Sequence, residues 1–140
     1  MTCTFFGHKD TPKEIEPTLR STLIDLIENK NVDTFYIGNN GNFDSIAHNI
    51  LSELVLEYSI KYYIVLAYMP KVQKDSEHTI LPEGIETVPF RFAISYRNKW
   101  MVQHSDYAVT FVAHSWGGAA KFKEFAEKNN KIIISLTKTE

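Results

Sequence analysis

Apolar positions in this chain alternate between short continuous runs and longer stretches with helical spacing. The run Cys3 to Phe6 stops at Gly7 and predicts a first strand. Thr11-Pro12-Lys13-Glu14 has the form of a capping box, and Ile15, Leu19, Leu23, Leu26 and Ile27 follow on one helical face. Pro17 is tolerated only in a first turn, so the regular helix is expected from about that point to Asn29. Asp33 to Ile37 is rich in aromatic and β-branched residues and predicts a second strand, closed by Gly38. After the turn-forming Gly38-Asn39-Asn40-Gly41-Asn42, the positions from Phe43 to Tyr58 keep the cleanest helical period in the chain. Tyr62 to Ala67 is almost continuously apolar, as a strand covered on both faces should be.

From Met69 to about Pro89 the pattern dissolves into charges, Pro82, Gly84 and Pro89, which predicts a long loop, either a functional lid or a locally mobile segment. A helix over Phe92 to His104 and a strand over Tyr107 to Val112 come next. Ser115-Trp116-Gly117-Gly118 is a second glycine-bearing turn, opening a helix with Ala119, Phe122, Phe125 and Ala126 on one face. Lys131 to Leu136 completes five predicted strands. Strands that alternate with helices imply a single-domain (residues 1–140), Rossmann-like α/β/α sandwich around a mainly parallel sheet. The expected strand order is 3-2-1-4-5. That order makes the first and fourth strands neighbours, with a switch point between them, so the loops at Gly7-His8-Lys9 and His114 to Gly118 should border one crevice, flanked by Gly38 to Asn42.

Composition narrows the class. The 140 residues fit one domain of about 100–200 residues, and an apolar fraction of 44% is enough for a real core. Fifteen basic against seventeen acidic residues leave a net charge of −2, which argues against a broadly basic surface gripping duplex nucleic acid. The lone Cys3, in a strand, fits a buried inert thiol and a reducing compartment. The N-terminus has neither the basic start nor the apolar core of a signal peptide, and no apolar run approaches the ~20 residues of a membrane span. A cytoplasmic protein without a membrane partner is expected.

Candidate chemistry concentrates at the crevice. Helix N-termini behind glycines suit a phosphate, because their first N–H groups are free and a ligand can approach the backbone. This brings forward Gly7, Gly38, Gly41, Gly117 and Gly118, although neither a P-loop nor a dinucleotide fingerprint occurs. Asp44 can cap its helix or accept bonds from ribose hydroxyls. Arg97 offers a planar fork for phosphate, and Asn98, like Asn39, offers an amide for a base or sugar. Ser115 lacks the setting of a hydrolase nucleophile and reads as a phosphate-loop hydroxyl. His8 and His114, on converging loops, fit either acid–base work or plain hydrogen bonding. The five histidines lack metal-site spacing, and no catalytic residue, metal or cofactor is assigned. A small nucleotide-type ligand is the expected partner.

Taken in order, these segments resemble a known group. Phe6-Gly7-His8-Lys9 is similar to the F-[ST]-G-H-[RK] start of the small YpsA-like proteins, and Gly38 to Ala47 to their G-x-x-x-G-x-D-x-x-A segment. Arg97-Asn98-Lys99-Trp100-Met101-Val102 with Ser105-Asp106 resembles R-N-x-x-M-V-x-x-S-D, and Gly117-Gly118 the glycine pair before the next helix. The resemblance is to the SMF/DprA–LOG (SLOG) group of nucleotide-binding proteins and spans Phe6 to Ala126. It implies a nucleotide-derived ligand at the sheet edge, with Gly38, Gly41, Asp44, Arg97, Gly117 and Gly118 in the binding loops, and a homo-oligomer. Its LOG branch hydrolyses the N-glycosidic bond of nucleoside 5′-monophosphates through the glutamate of P-G-G-x-G-T-x-x-E. In the corresponding stretch here, Lys121 or Lys123 is expected in the glutamate's place, with Glu124 one residue out. Asp44-Ser45-Ile46-Ala47-His48 is similar to a D-x-x-A-H segment of the DprA branch, which acts on single-stranded DNA. The reading this leaves is a nucleotide-sensing protein, with a LOG-type phosphoribohydrolase or a non-catalytic interaction module as alternatives.

Overall fold

The computed structural model describes residues 1–69 and 78–137. Its strands are β1 (Thr2–Gly7), β2 (Thr34–Ile37), β3 (Lys61–Val65), β4 (Thr79–Ile80), β5 (Tyr107–Phe111) and β6 (Ile132–Ser135). Its helices are α1 (Glu16–Asn29), α2 (Asn42–Leu54), α3 (Ala93–Gln103) and α4 (Gly118–Lys128). The strands form one sheet in the order β4-β3-β2-β1-β5-β6, and every described pairing is parallel.

The sheet therefore has six strands, not the five in order 3-2-1-4-5 that the pattern predicts. The extra one, β4, arises inside the expected loop: Ile64 N–H donates to His78 O at 2.6 Å and Leu66 N–H to Ile80 O at 2.8 Å. Two residues hemmed in by Pro82 and Gly84 are too few to register as an alternating run. The expectation of a lid falls partly on residues 70–77, which lie outside the described residues.

Alternation along the strands sends side chains to two separate cores. On one face, Cys3 and Phe5 of β1, Phe35 and Ile37 of β2 and Val109 of β5 pack against Leu19, Leu23 and Leu26 of α1 and Phe43, Ala47, Ile50, Leu51 and Leu54 of α2. On the other, Phe6, Val65 and Ala108 meet Met101 and Val102 of α3 and Phe122 and Ala126 of α4. This is the three-layer α/β/α arrangement. Cys3 is fully buried, and burial pushes its thiol pKa upward, so it is an inert core residue.

The start of α1 differs from the expected capping box. Thr11 is buried and its hydroxyl donates to His8 O at 2.5 Å, tying the β1–α1 loop to itself. A 3-10 turn at Lys13–Ile15 leads into α1, with Pro17 in the first turn where its missing N–H costs nothing. Gly7 ends β1 beneath α2: a Cβ there would overlap the ring of buried Phe43. Gly7→Ala should therefore lower stability by roughly 1–3 kcal/mol, the usual cost of overpacking. Urea unfolding should show this as a lower midpoint at unchanged slope.

Candidate functional site

Because all strands run the same way, their carboxyl ends share one edge, and β1 and β5 lie side by side there. A cleft of about 340 Å³ opens at that edge, toward the lower end of the ~300–1,000 Å³ typical of small-molecule sites. It is lined by the β1–α1 loop (Gly7, His8, Lys9, Asp10), Asn40 and Asp44 at the start of α2, Ile94, Arg97, Asn98 and Met101 of α3, and His114 with Trp116 to Ala119 before and at the start of α4. Phe5 and Phe6 at the end of β1 also line it.

Arg97 is the most constrained of these. It is only 2% exposed, yet it faces the cleft. Its Nη1 donates to Val65 O at 2.9 Å and to Asn39 Oδ1 at 3.3 Å, and its Nε donates to Asn98 Oδ1 at 2.8 Å. Its Nη2 has no acceptor among the described residues. Burial pulls the guanidinium pKa down, opposed by the nearby Asp44 and Tyr68. Asp44 is perturbed in the opposite sense. Burial raises its pKa, against the Asn40 N–H that donates to Oδ2 at 3.0 Å and the charge of Arg97. Gly38 permits this approach: a Cβ would stand 2.8 Å from Asp44 Oδ2 and 3.1 Å from the Arg97 guanidinium carbon.

The two glycine-bearing helix starts are not equivalent. Gly41, at φ +110°, precedes α2 with no room for a Cβ, because Lys9 Cα would lie 2.7 Å from it. The Asn42 N–H there already donates to Lys9 O at 2.9 Å. At α4, Gly117 adopts φ +95°, a Cβ on Gly118 would meet nothing within 4 Å, and no side chain caps the helix. The N–H groups of Gly118, Ala119 and Ala120 have no protein acceptor among the described residues. Their partial positive charge supplements a local balance in which Lys9 and Arg97 offset Asp10 and Asp44.

Of the residues singled out from sequence, the cleft brings together Gly7, His8, Asp44, Arg97, Asn98, His114, Gly117 and Gly118. Gly38 and Asn39 stand behind it as neighbours of Arg97, and Gly41 packs on Lys9. Ser115 is exposed and outside the lining. No described residue from Met69 to Pro89 lines the cleft. Lys9, Asn40 and Trp116 line it from the loops expected to border or flank the crevice, although the sequence assigned them no role, and Asp10 lines it without having been expected there. If the resemblance to the LOG signature holds, counting from Gly117-Gly118 puts its glutamate at Glu124 and not at Lys121 or Lys123. Glu124 is exposed on α4, paired with Lys128 at 3.0 Å, and does not line the cleft.

His8 and His114 do converge. Their rings stack with centroids 3.7 Å apart. His8 is buried, and its Nε2 accepts the Ala113 N–H at 2.8 Å, which leaves the proton of the neutral ring on Nδ1. His114 Nδ1 is buried without a hydrogen-bond partner among the described residues. No helix among the described residues is long and apolar enough to cross a membrane, and none of them cluster as three or more metal-ligating side chains. No protein-family model and no curated protein matches the chain.

Burial holds the His8 pKa below its ordinary value, with His114 acting in the same direction and Asp10 against. The unfolded chain therefore binds the proton more readily, and this residue's contribution to stability falls as pH drops below about 6.5. His8→Gln, whose amide oxygen can accept the Ala113 N–H, should flatten the fall in melting temperature between about pH 7 and 5. An unchanged pH profile would contradict this.

Proposed function

We propose that the chain binds a phosphate-bearing nucleotide derivative in this cleft, as a recognition or sensing protein, and that it belongs to the SLOG group its segments resemble. The parallel Rossmann-like sheet is consistent with nucleotide binding in general, since such folds take ligands at the carboxyl ends of their strands near a switch point. One observation carries the more specific reading: the open, uncapped start of α4 and the buried Arg97 line the same cleft. Free N–H groups at a positive helix end and a guanidinium whose Nη2 has no acceptor among the described residues suit the same kind of group, a phosphate. Asp44, on the same cleft, supplies an acceptor for sugar hydroxyls, which a phosphate site alone would not need. Against hydrolysis of the glycosidic bond stands Glu124, whose carboxylate is engaged by Lys128 away from the cleft.

Thermal shifts against nucleoside mono-, di- and triphosphates, NAD, ADP-ribose and cyclic nucleotides test the reading. A ligand at 100 times its Kd should add about 2.7 kcal/mol, and chromatography of the mixture should recover it intact. Released base would favour the hydrolase, and no shift with any of the panel would count against a nucleotide site. Arg97→Gln should weaken binding by about 2–5 kcal/mol, as expected when one partner of a buried charged contact is removed. Gly118→Ala gives a control with little risk to folding. Its methyl enters open space, so the melting temperature should hold while affinity drops.

A further inference from the structure

This inference rests on the reading of the cleft as a nucleotide site. Beside the phosphate-binding corner, the cleft wall is a ladder of aromatic rings. His8 and His114 stack at 3.7 Å between centroids, His114 and Trp116 at 3.8 Å, each pair inclined by 17°. The ladder is anchored at its inner end. His8 is bound through Nε2 to the Ala113 N–H, and Phe111 of β5 meets it edge-on at 6.3 Å. At its outer end Trp116 lines the cleft yet is 69% exposed, with no second ring on its other face among the described residues.

A single exposed tryptophan needs no explanation in itself. This one differs in being fixed in orientation by two rings stacked beneath it, and in immediately preceding the open helix start at Gly117-Gly118. A flat apolar surface, pre-ordered next to an anion site, fits a ligand that carries a planar ring a short distance from a phosphate. Stacking requires no hydrogen-bond code, because any base has a π face.

We infer that Trp116 is the stacking face for the heterocycle of the bound nucleotide, which becomes the next ring of the ladder. The cleft therefore discriminates nucleotides from phosphorylated sugars, and favours purines over pyrimidines through their larger ring area. Ribose 5-phosphate satisfies the corner formed by Arg97 and the start of α4 but leaves the ladder uncovered.

Calorimetric titration of AMP and of ribose 5-phosphate into the wild type, Trp116→Ala and Trp116→Phe tests this. Trp116→Ala should weaken AMP about ten- to a hundredfold, within the range that base–aromatic stacking carries, while ribose 5-phosphate stays within twofold. Trp116→Phe should recover most of the loss. In a Trp100→Phe background Trp116 is the only indole, and AMP but not ribose 5-phosphate should quench its fluorescence. The inference is overturned if Trp116→Ala leaves AMP binding unchanged, weakens both probes alike, or tightens both as removal of a blocking ring would. In each case the proposed site stands, because wild-type binding remains. Failure of both probes to bind the wild type overturns the site and the stacking role together.

Discussion

The arrangement at the sheet edge turns on a positive charge taken almost wholly out of water. Burying the Arg97 guanidinium costs several kcal/mol unless its donors are met, and three elements converge to meet them. The end of β3 offers Val65 O, the β2–α2 loop offers Asn39, and α3 itself offers Asn98. Asp44 opposes the charge from the first turn of α2, brought close because Gly38 has no side chain. Such convergence needs parallel strands, since only then do the ends of β2 and β3 and the starts of the helices reach one side of the sheet. The compensation is incomplete, for Nη2 of Arg97 and the N–H groups opening α4 have no protein acceptor among the described residues.

Much of this order is legible in the chain because both cores repeat with a regular period. Phe5 and Phe6 point to opposite faces for the same reason that they adjoin in sequence, and the helical period from Phe43 onward marks the face that covers Phe5. The edge strand is not legible. Thr79 and Ile80 both favour strand, but two residues make no legible pattern, and they pair because β3 presents an edge with matching hydrogen-bonding groups. Thr11 shows the same limit in a cap. Its hydroxyl could bond to a helix N–H or to the carbonyl of His8, and the loop geometry, invisible in sequence, selects His8.

Glycines illustrate why the site was less legible than the fold. A missing side chain leaves a space, and sequence does not tell whether protein or ligand fills it. At Gly7 the space belongs to Phe43, at Gly41 to Lys9, and at Gly38 to Asp44 and Arg97. Only at Gly118 is it open. Four glycines that look alike in sequence thus separate into three that pack the scaffold and one that exposes backbone to the cleft.

The cleft also runs against what stability alone would select. A buried arginine, a carboxyl whose pKa burial pushes up and an imidazole whose pKa burial pushes down each carry a desolvation penalty that apolar residues of similar volume would avoid. Local rules broken together in one place, on a scaffold that otherwise obeys them, are the expected mark of a functional site. Of those penalties, an anion at the proposed site would offset only the one at Arg97, which Asp44 already opposes, and it would repel the Asp44 carboxylate. Under the proposed function, stability and binding are coupled at this edge through the buried Arg97.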